Sequence, residues 1–400
     1  DTGEYVWHYQ TTPAETWDFT ATQHIILADL TIEGSERKVL MQAPKNGFFY
    51  VIDRATGELI SAEKYTVANW ASHIDLKTGR PVETEIARVF DGVTVHIPSN
   101  GGGHNWQPMA YNPKTGLVYL PTMVFPSAFK APTREIDSKP KQGTYNTGFD
   151  RMSLVPPNVE GINDILDSQF QGELTAWDPV TQSLRWKTEP ARIDGSGVLA
   201  TAGNLVFKGI DHERFAAYHA ETGELLWEQP TQTVASGTPM TYAIDGKQYV
   251  AIAVGFGGGL GAEAGAISGH WNLVNRSRVL VYALGGIHQL PDIEEQPERE
   301  MVKPLPVTSD EETVAQGQVL YQRHCSFCHG DGLRSSGLVP DLRYSNSGIH
   351  RIWEQIVIDG ILQSSGMVSF SKYLTPEDAE SIRQYALSEA NRLYSESLKQ

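Results

Sequence analysis

The chain has only two cysteines in 400 residues, too few for a disulfide framework or for a zinc ribbon with its two ligand pairs. No stretch approaches the roughly 18 uninterrupted apolar residues that a spanning helix needs. Basic residues are scarce, 32 Lys and Arg against 48 Asp and Glu, and the net charge of −16 argues against a nucleic-acid partner. The acidity reads first as a solvated surface and second as steering of a basic redox partner. No strained Gly-x-Ser-x-Gly elbow is present, so Ser-His-Asp hydrolysis lacks support. The run Gly101-Gly102-Gly103 is followed by neither a helix pattern nor Lys-Ser/Thr, which removes a phosphate loop. No signal peptide precedes Asp1-Thr2-Gly3-Glu4, which looks like the middle of a repeated module, so further chain is expected upstream.

Both cysteines fall in Cys325-Ser326-Phe327-Cys328-His329, which reads as a covalent attachment site for c-type haem. Each thiol can form a thioether to a haem vinyl group, and His329 then places an imidazole under the iron. A thioredoxin-like dithiol should instead open a helix in a βαβ unit, whereas this motif ends a helix-like run, Glu312 to His324. Met367, in Gly366-Met367-Val368-Ser369-Phe370, is the expected second axial ligand, although a methionine beside a glycine is also ordinary filler. The carbonyl of Pro340 is expected to accept the His329 ring N–H and so orient the ring. Haem attachment belongs to an oxidising compartment, which gives a periplasmic expectation.

Glycine (37) and tryptophan (9) are plentiful, as in a turn-rich β architecture. One grammar recurs: Asp1-Thr2-Gly3-Glu4, Asp53-Arg54-Ala55-Thr56-Gly57, Asn112-Pro113-Lys114-Thr115-Gly116, Asp178-Pro179-Val180-Thr181-Gln182 and Ala220-Glu221-Thr222-Gly223. Asp or Asn opens each turn with a side-chain acceptor in most copies, and Gly supplies φ > 0. Gln182 breaks the rule, so its turn should be strained or of another type. Turn positions 3, 57, 116, 182 and 223 lie 54, 59, 66 and 41 residues apart, the range of a propeller blade plus insertions. Strand-like runs lie between them at Phe48 to Ile52, Leu117 to Leu120, Asn204 to Phe207, Tyr249 to Val254 and Val279 to Leu284. The reading is an all-β propeller over residues 1–286 with about five blades, a proline-rich acidic linker over 287–309, and a small all-α cytochrome c domain over 310–400. In the last of these, Thr375 caps a helix that begins at Pro376, with Asp378 completing a capping box. That helix should pack on the one that precedes Cys325.

Several segments in order carry a resemblance across nearly the whole chain: Glu15-Thr16-Trp17-Asp18-Phe19, Ala43-Pro44-Lys45-Asn46-Gly47, Gly102-Gly103-His104-Asn105-Trp106, Gly197 to Phe207, Ser236 to Tyr242, Val254-Gly255-Phe256-Gly257-Gly258 and the haem motif. The sequence resembles the type II quinohaemoprotein alcohol dehydrogenases, which bind pyrroloquinoline quinone in an eight-bladed propeller. The resemblance implies a partial propeller of that kind, with the quinone, calcium and haem c as cofactors. It implies Asp18 as the general base beside calcium, Lys45 against the quinone oxygens, and Asn105, Trp106 and Phe256 as neighbours of the cofactor. Electrons from a small alcohol would pass to haem held by Cys325, Cys328, His329 and Met367. A soluble acceptor such as a blue copper protein or a cytochrome would follow. The remaining calcium ligands, the other wall of the quinone site and the family's adjacent cysteine pair would lie upstream of Asp1, so this chain alone should bind quinone weakly or not at all. Asp211-His212-Glu213-Arg214 stands where the family has an Asp-Gly turn. Each residue also has a plainer reading: Asp18 a turn residue, Lys45 a hairpin lysine, Trp106 and Phe256 core. A non-catalytic propeller scaffold with an electron-carrier cytochrome remains the alternative from another class, and aldehydes, sugars or polyols remain alternative substrates.

Overall fold

The computed structural model describes residues 2–89, 92–130, 150–151, 171–193, 195–210, 213–255, 275–293, 301–335 and 339–399. Phe256, Asp211 and His212 lie outside the described residues.

The first sheet is a four-stranded meander of Ile26–Ile32 (β1), Ser35–Gln42 (β2), Phe48–Asp53 (β3) and Leu59–Lys64 (β4). Ala71–Asp75 (β5) pairs with Arg80–Glu83 (β6). Val93–His96 (β7) belongs to a later three-stranded sheet, and Ala110–Asn112 (β8) leads into Leu117–Val124 (β9). Ser127–Lys130 (β10) pairs with β7 and with Asp150–Arg151 (β11). Gln171–Asp178 (β12), Ser183–Lys187 (β13) and Ala191–Arg192 (β14) complete the sheet of β8 and β9. A second four-stranded meander contains Val198–Ala200 (β15), Leu205–Ile210 (β16), Arg214–His219 (β17) and Leu225–Pro230 (β18). Met240–Ile244 (β19), Lys247–Val254 (β20) and Arg278–Ala283 (β21) form a three-stranded sheet.

Successive side chains on a strand point to opposite faces, and here both faces are apolar. On β9, Val118 and Leu120 join Val39, Met41, Phe49 and Val51 of the first sheet in one core. Leu117 and Tyr119 of the same strand join Val198, Val206, Ala216 and Tyr218 of the second meander in the next core. Phe207, Phe215 and Ala217 then turn the other way, onto Ile252, Val254 and Leu280. The sheets therefore stack face to face as blades. The outer face of the β19–β21 sheet leaves Met240, Ile244, Val279 and Val281 exposed.

The repeated turns are built as their chemistry requires. Asp53 Oδ1 accepts the N–H groups of Ala55 and Thr56, and Asp178 Oδ1 those of Val180 and Thr181, with all four bonds between 2.9 and 3.0 Å. Gly57, Gly116 and Gly223 have φ of 78°, 70° and 75°. Gln182 adopts the same left-handed conformation at φ 51°, so its turn is of the same type and carries the strain instead. Its side chain offsets part of this by donating to Ser61 Oγ at 2.8 Å and Pro179 O at 3.3 Å. At two turns a tryptophan lies against the glycine. Trp7 covers Gly57 and donates to Arg54 O, while Trp186 covers Gly223 and donates to Ala220 O.

The C-terminal part is helical. Helix α1, Glu311–His324, is capped by Asp310, whose side chain accepts from Thr313 N at 2.9 Å. The short α2, Ser326–His329, carries the haem motif, and α3 is Ser347–Arg351. Helix α4, Pro376–Ser397, starts with the capping box of Thr375 and Asp378 and Pro in its first turn. The α1–α4 crossing is close at Gly317, where a Cβ would strike the Ser381 carbonyl. Part of the stretch read as a linker is held: Asn391 Nδ2 donates to Leu305 O at 2.7 Å, and Thr308 N donates to Gln384 Oε1 at 2.9 Å.

Substituting Gly223→Ala combines a left-handed L-residue with a Cβ placed 2.6 Å from the Trp186 ring. A loss of ~2–4 kcal/mol is expected from strain and overpacking, read as a fall in the denaturation midpoint. Gly116→Ala meets no neighbour and should lose only the conformational part.

Candidate active site and haem site

Asp18 is flanked by two buried aromatics, and that alternation points it outward. Trp17 and Phe19 are stacked with ring centroids 5.4 Å apart, and Trp17 Nε1 donates to Ala87 O at 2.7 Å. Asp18 itself has φ 65°, a conformation uncommon outside glycine and tolerated best by Asp and Asn. Glu15 holds it there, since Glu15 Oε1 accepts the N–H groups of both neighbours, Trp17 at 2.5 Å and Phe19 at 2.8 Å. The carboxylate is 56 % exposed, and its Oδ2 lies 3.1 Å from Lys45 Nζ, whose side chain is 9 % exposed.

Lys45 sits on the link between β2 and β3, and the carbonyls around it are each held by a separate donor. Tyr65 Oη donates to Pro44 O at 2.7 Å, Gly103 N to Lys45 O at 3.0 Å and Trp70 Nε1 to Asn46 O at 2.8 Å. Burial pushes the Tyr65 phenol far above its usual range, so it remains a donor. Gly102, at φ 83°, leaves room for the lysine stem: a Cβ there would lie 2.5 Å from Lys45 Cγ. Asn105 is used at both ends of its amide, donating to Gly101 O and accepting from Trp106 N, each at 2.8 Å. Trp106 is 42 % exposed, a large apolar face open to a flat ligand.

The structure thus brings Asp18 and Lys45 into contact and ties the lysine's loop to the loop bearing Asn105 and Trp106. Sequence reasoning assigned nothing to Glu15, Tyr65 or Trp70. Glu15 lies within the segment quoted for the resemblance, but its role depends on where the two N–H groups point.

In the helical part Cys325 is buried, Cys328 is exposed and neither forms a disulfide. Burial, with Cys328 nearby, pushes the Cys325 thiol up to about 12. His329 is buried, and its Nδ1 lies 2.9 Å from the Pro340 carbonyl. Burial lowers the ring's pKa against the opposing effects of that carbonyl and Asp341, which favours a neutral imidazole with Nε2 left for a metal. Met367 packs on the same cluster as Cys325, with Tyr321, Trp353 and Tyr385. Among the described residues no group of three or more His, Cys, Asp or Glu forms a ready metal cluster.

Residues 1–71 and 81–250 match the family described as glucose/ethanol/alcohol dehydrogenase β-propeller domain of the PQQ type, and residues 312–385 match cytochrome c oxidase, cbb3-type, subunit III. Quinohemoprotein alcohol dehydrogenase ADH-IIG of Pseudomonas putida is 43% identical over 399 residues, 99% of this chain. The chain belongs to the quinohaemoprotein alcohol dehydrogenase family. A second relative of that family, ADH IIB of the same organism, is 45% identical over 97% of the chain. The solved ADHIIG structure superimposes with a TM-score of 0.91 at 42% identity, covering 100% of this chain and 58% of that one. The quinohemoprotein alcohol dehydrogenase of Comamonas testosteroni gives 0.81 at 36% identity, covering 98% of this chain and 56% of that one. The chain spans about half the length of the curated relatives it matches, 55% for both Pseudomonas putida proteins.

Replacing Glu15 by Ala strips the acceptor from two amides beside Asp18. The expected loss is about 1 kcal/mol, read by chemical denaturation, whereas Glu15→Gln keeps the acceptor and should stay near the parent value.

Proposed function

We propose that this chain is the catalytic and haem-bearing part of a periplasmic enzyme that oxidises alcohols to aldehydes or ketones and passes the electrons to a covalently bound haem. The observation that carries the reading is the pairing of an outward carboxylate, Asp18, with a fixed and largely buried ammonium, Lys45, at 3.1 Å. Bound pyrroloquinoline quinone supplies a two-electron acceptor, calcium a Lewis acid, and haem c a one-electron carrier. The residues present suit these groups: an oxygen donor and a cation converge on one side, and an imidazole with one nitrogen already engaged stands beside two unpaired thiols.

Asp18 takes the proton from the alcohol hydroxyl and also offers an oxygen to calcium. Lys45 holds a positive charge where negative charge develops on an acceptor oxygen. Asn105 keeps Trp106 in place, and Trp106 offers its ring to the cofactor; Phe256, outside the described residues, is assigned as a further neighbour of the cofactor. Cys325 and Cys328 would hold the haem through thioethers, and His329 and Met367 would supply ligands to its iron. The remaining calcium ligands and the opposite wall of the quinone site are assigned to the part of the longer relatives that this chain does not span. The exposed apolar face of β19–β21 supports a neighbouring sheet there. A soluble copper protein or cytochrome is the assigned acceptor. No helix among the described residues is long and apolar enough to cross a membrane.

In the complete enzyme, Asp18→Asn should lower alcohol-dependent haem reduction by on the order of 10²–10⁴ while the haem spectrum stays intact. Wild-type turnover in that variant would reject the assignment. Met367→Ala should leave haem attached but lower its midpoint potential and alter its low-spin spectrum, checked by redox titration.

A further inference from the structure

His104 is a completely buried imidazole that the proposed chemistry does not use. Its Nδ1 lies 2.7 Å from the carbonyl of Ala43 and its Nε2 lies 2.6 Å from the carbonyl of Gln107. The first contact crosses 61 residues of sequence, to the loop of Lys45; the second closes the loop that carries Asn105 and Trp106. Its own carbonyl accepts from Gln23 Nε2 at 3.2 Å, and Gln42 Nε2 in turn donates to Gln23 O at 2.7 Å. Burial keeps the ring neutral, so it carries one N–H; with that proton on Nδ1, every carbonyl from Ala43 to Asn46 has a donor from outside the run. The other three come from Tyr65, Gly103 and Trp70. The Gly103 amide and the His104 ring link this run to the loop of Trp106.

We propose that His104 is a positioning residue: it sets the ammonium of Lys45 against Asp18 and the Trp106 ring, without touching substrate or cofactor. A buried carbonyl left without a donor is costly, and a loop free to relax by an ångström lowers turnover steeply. The inference rests on the reading that Asp18 and Lys45 face the reacting groups.

The variants are chosen by atom position. His104→Asn places an amide nitrogen where Nδ1 stands and keeps the donor to Ala43 O, whereas His104→Gln reaches the Nε2 position, toward Gln107 O, and leaves Ala43 O without a donor. His104→Phe keeps the ring shape and removes both nitrogens. In the complete enzyme, loaded with quinone and calcium, the expected fall in kcat is about 10–100-fold for His104→Phe. His104→Gln should fall nearly as far and His104→Asn should recover most of the rate. KM should change less than kcat, with an unchanged haem spectrum. Added to Lys45→Ala, His104→Phe should cost less than about twofold more, because its effect runs through the lysine.

Equal losses in the parent and Lys45→Ala backgrounds would overturn the proposal in favour of general destabilisation. Wild-type kcat in His104→Phe beside a crippled Lys45→Ala would overturn it while sparing the site. Full turnover in Lys45→Ala would sink the site reading itself, and this inference with it. If His104→Phe does not fold, the order of Asn above Gln decides, and the reverse order or equality rejects the proposal.

Discussion

A sheet with two apolar faces cannot stand alone, and that single constraint organises the β-rich part of the molecule. Strands such as β9 and β12 bury side chains on both sides, so each sheet must have a neighbour front and back. The demand passes along the chain from Phe49 and Val51 through Tyr119 and Tyr218 to Phe215 and Ile252. Among the described residues it ends on a face where Met240, Val279 and Val281 are exposed. The turns serve the same stacking. Trp7 and Trp186 close over Gly57 and Gly223, where a side chain would leave no space for an indole ring.

The stacked sheets provide stiffness, and the candidate site lies on the links between strands, where backbone can be aimed. Lys45 is rigid because its peptide groups are held, and Asp18 because Glu15 pins the amides on either side. The ion pair between them adds little to stability, since one partner is more than half exposed and solvent screens it. Its worth is geometric. A carboxylate that stays open to solvent while its ammonium partner is fixed can receive a hydroxyl group without rearranging the backbone.

Features fixed by a few consecutive residues were legible in the sequence. The haem motif, the Thr375 capping box and the Asp53 turn each depend on atoms within four positions of one another. Asp18 and Lys45 were legible only through the resemblance, because nothing local in Trp-Asp-Phe or Pro-Lys-Asn says that the two side chains meet 27 residues apart. The donors that make the site rigid were not legible at all. Tyr65, Trp70 and His104 act on carbonyls 21 to 61 positions away, and a carbonyl leaves no mark on residue type. Gln182 was recognised as a departure from the turn rule, but its bond to Ser61, 121 residues away, depends on a neighbouring sheet. The contacts of Leu305 and Thr308, within the stretch read as extended linker, were not legible for the same reason, since they depend on the amides of Asn391 and Gln384 in α4.

The haem motif is stabilised by a separate set of interactions. Tyr321 Oη donates to Gly330 O at 2.6 Å, the Cys328 and His329 amides both turn back onto Cys325 O, and Trp353 Nε1 donates to Ala379 O. The apolar cluster behind them draws on Tyr321, Cys325, Leu333, Trp353, Ile382 and Tyr385, and shares no residue with the clusters between the sheets. Distant sites without shared partners respond independently to substitution. Under the proposed function, a change at Asp18, Lys45 or His104 should therefore alter the delivery of electrons while leaving the packing around the haem motif as it is. The haem absorbance is for that reason a control for the helical part alone, and the integrity of the sheets in a variant is read separately, by chemical denaturation.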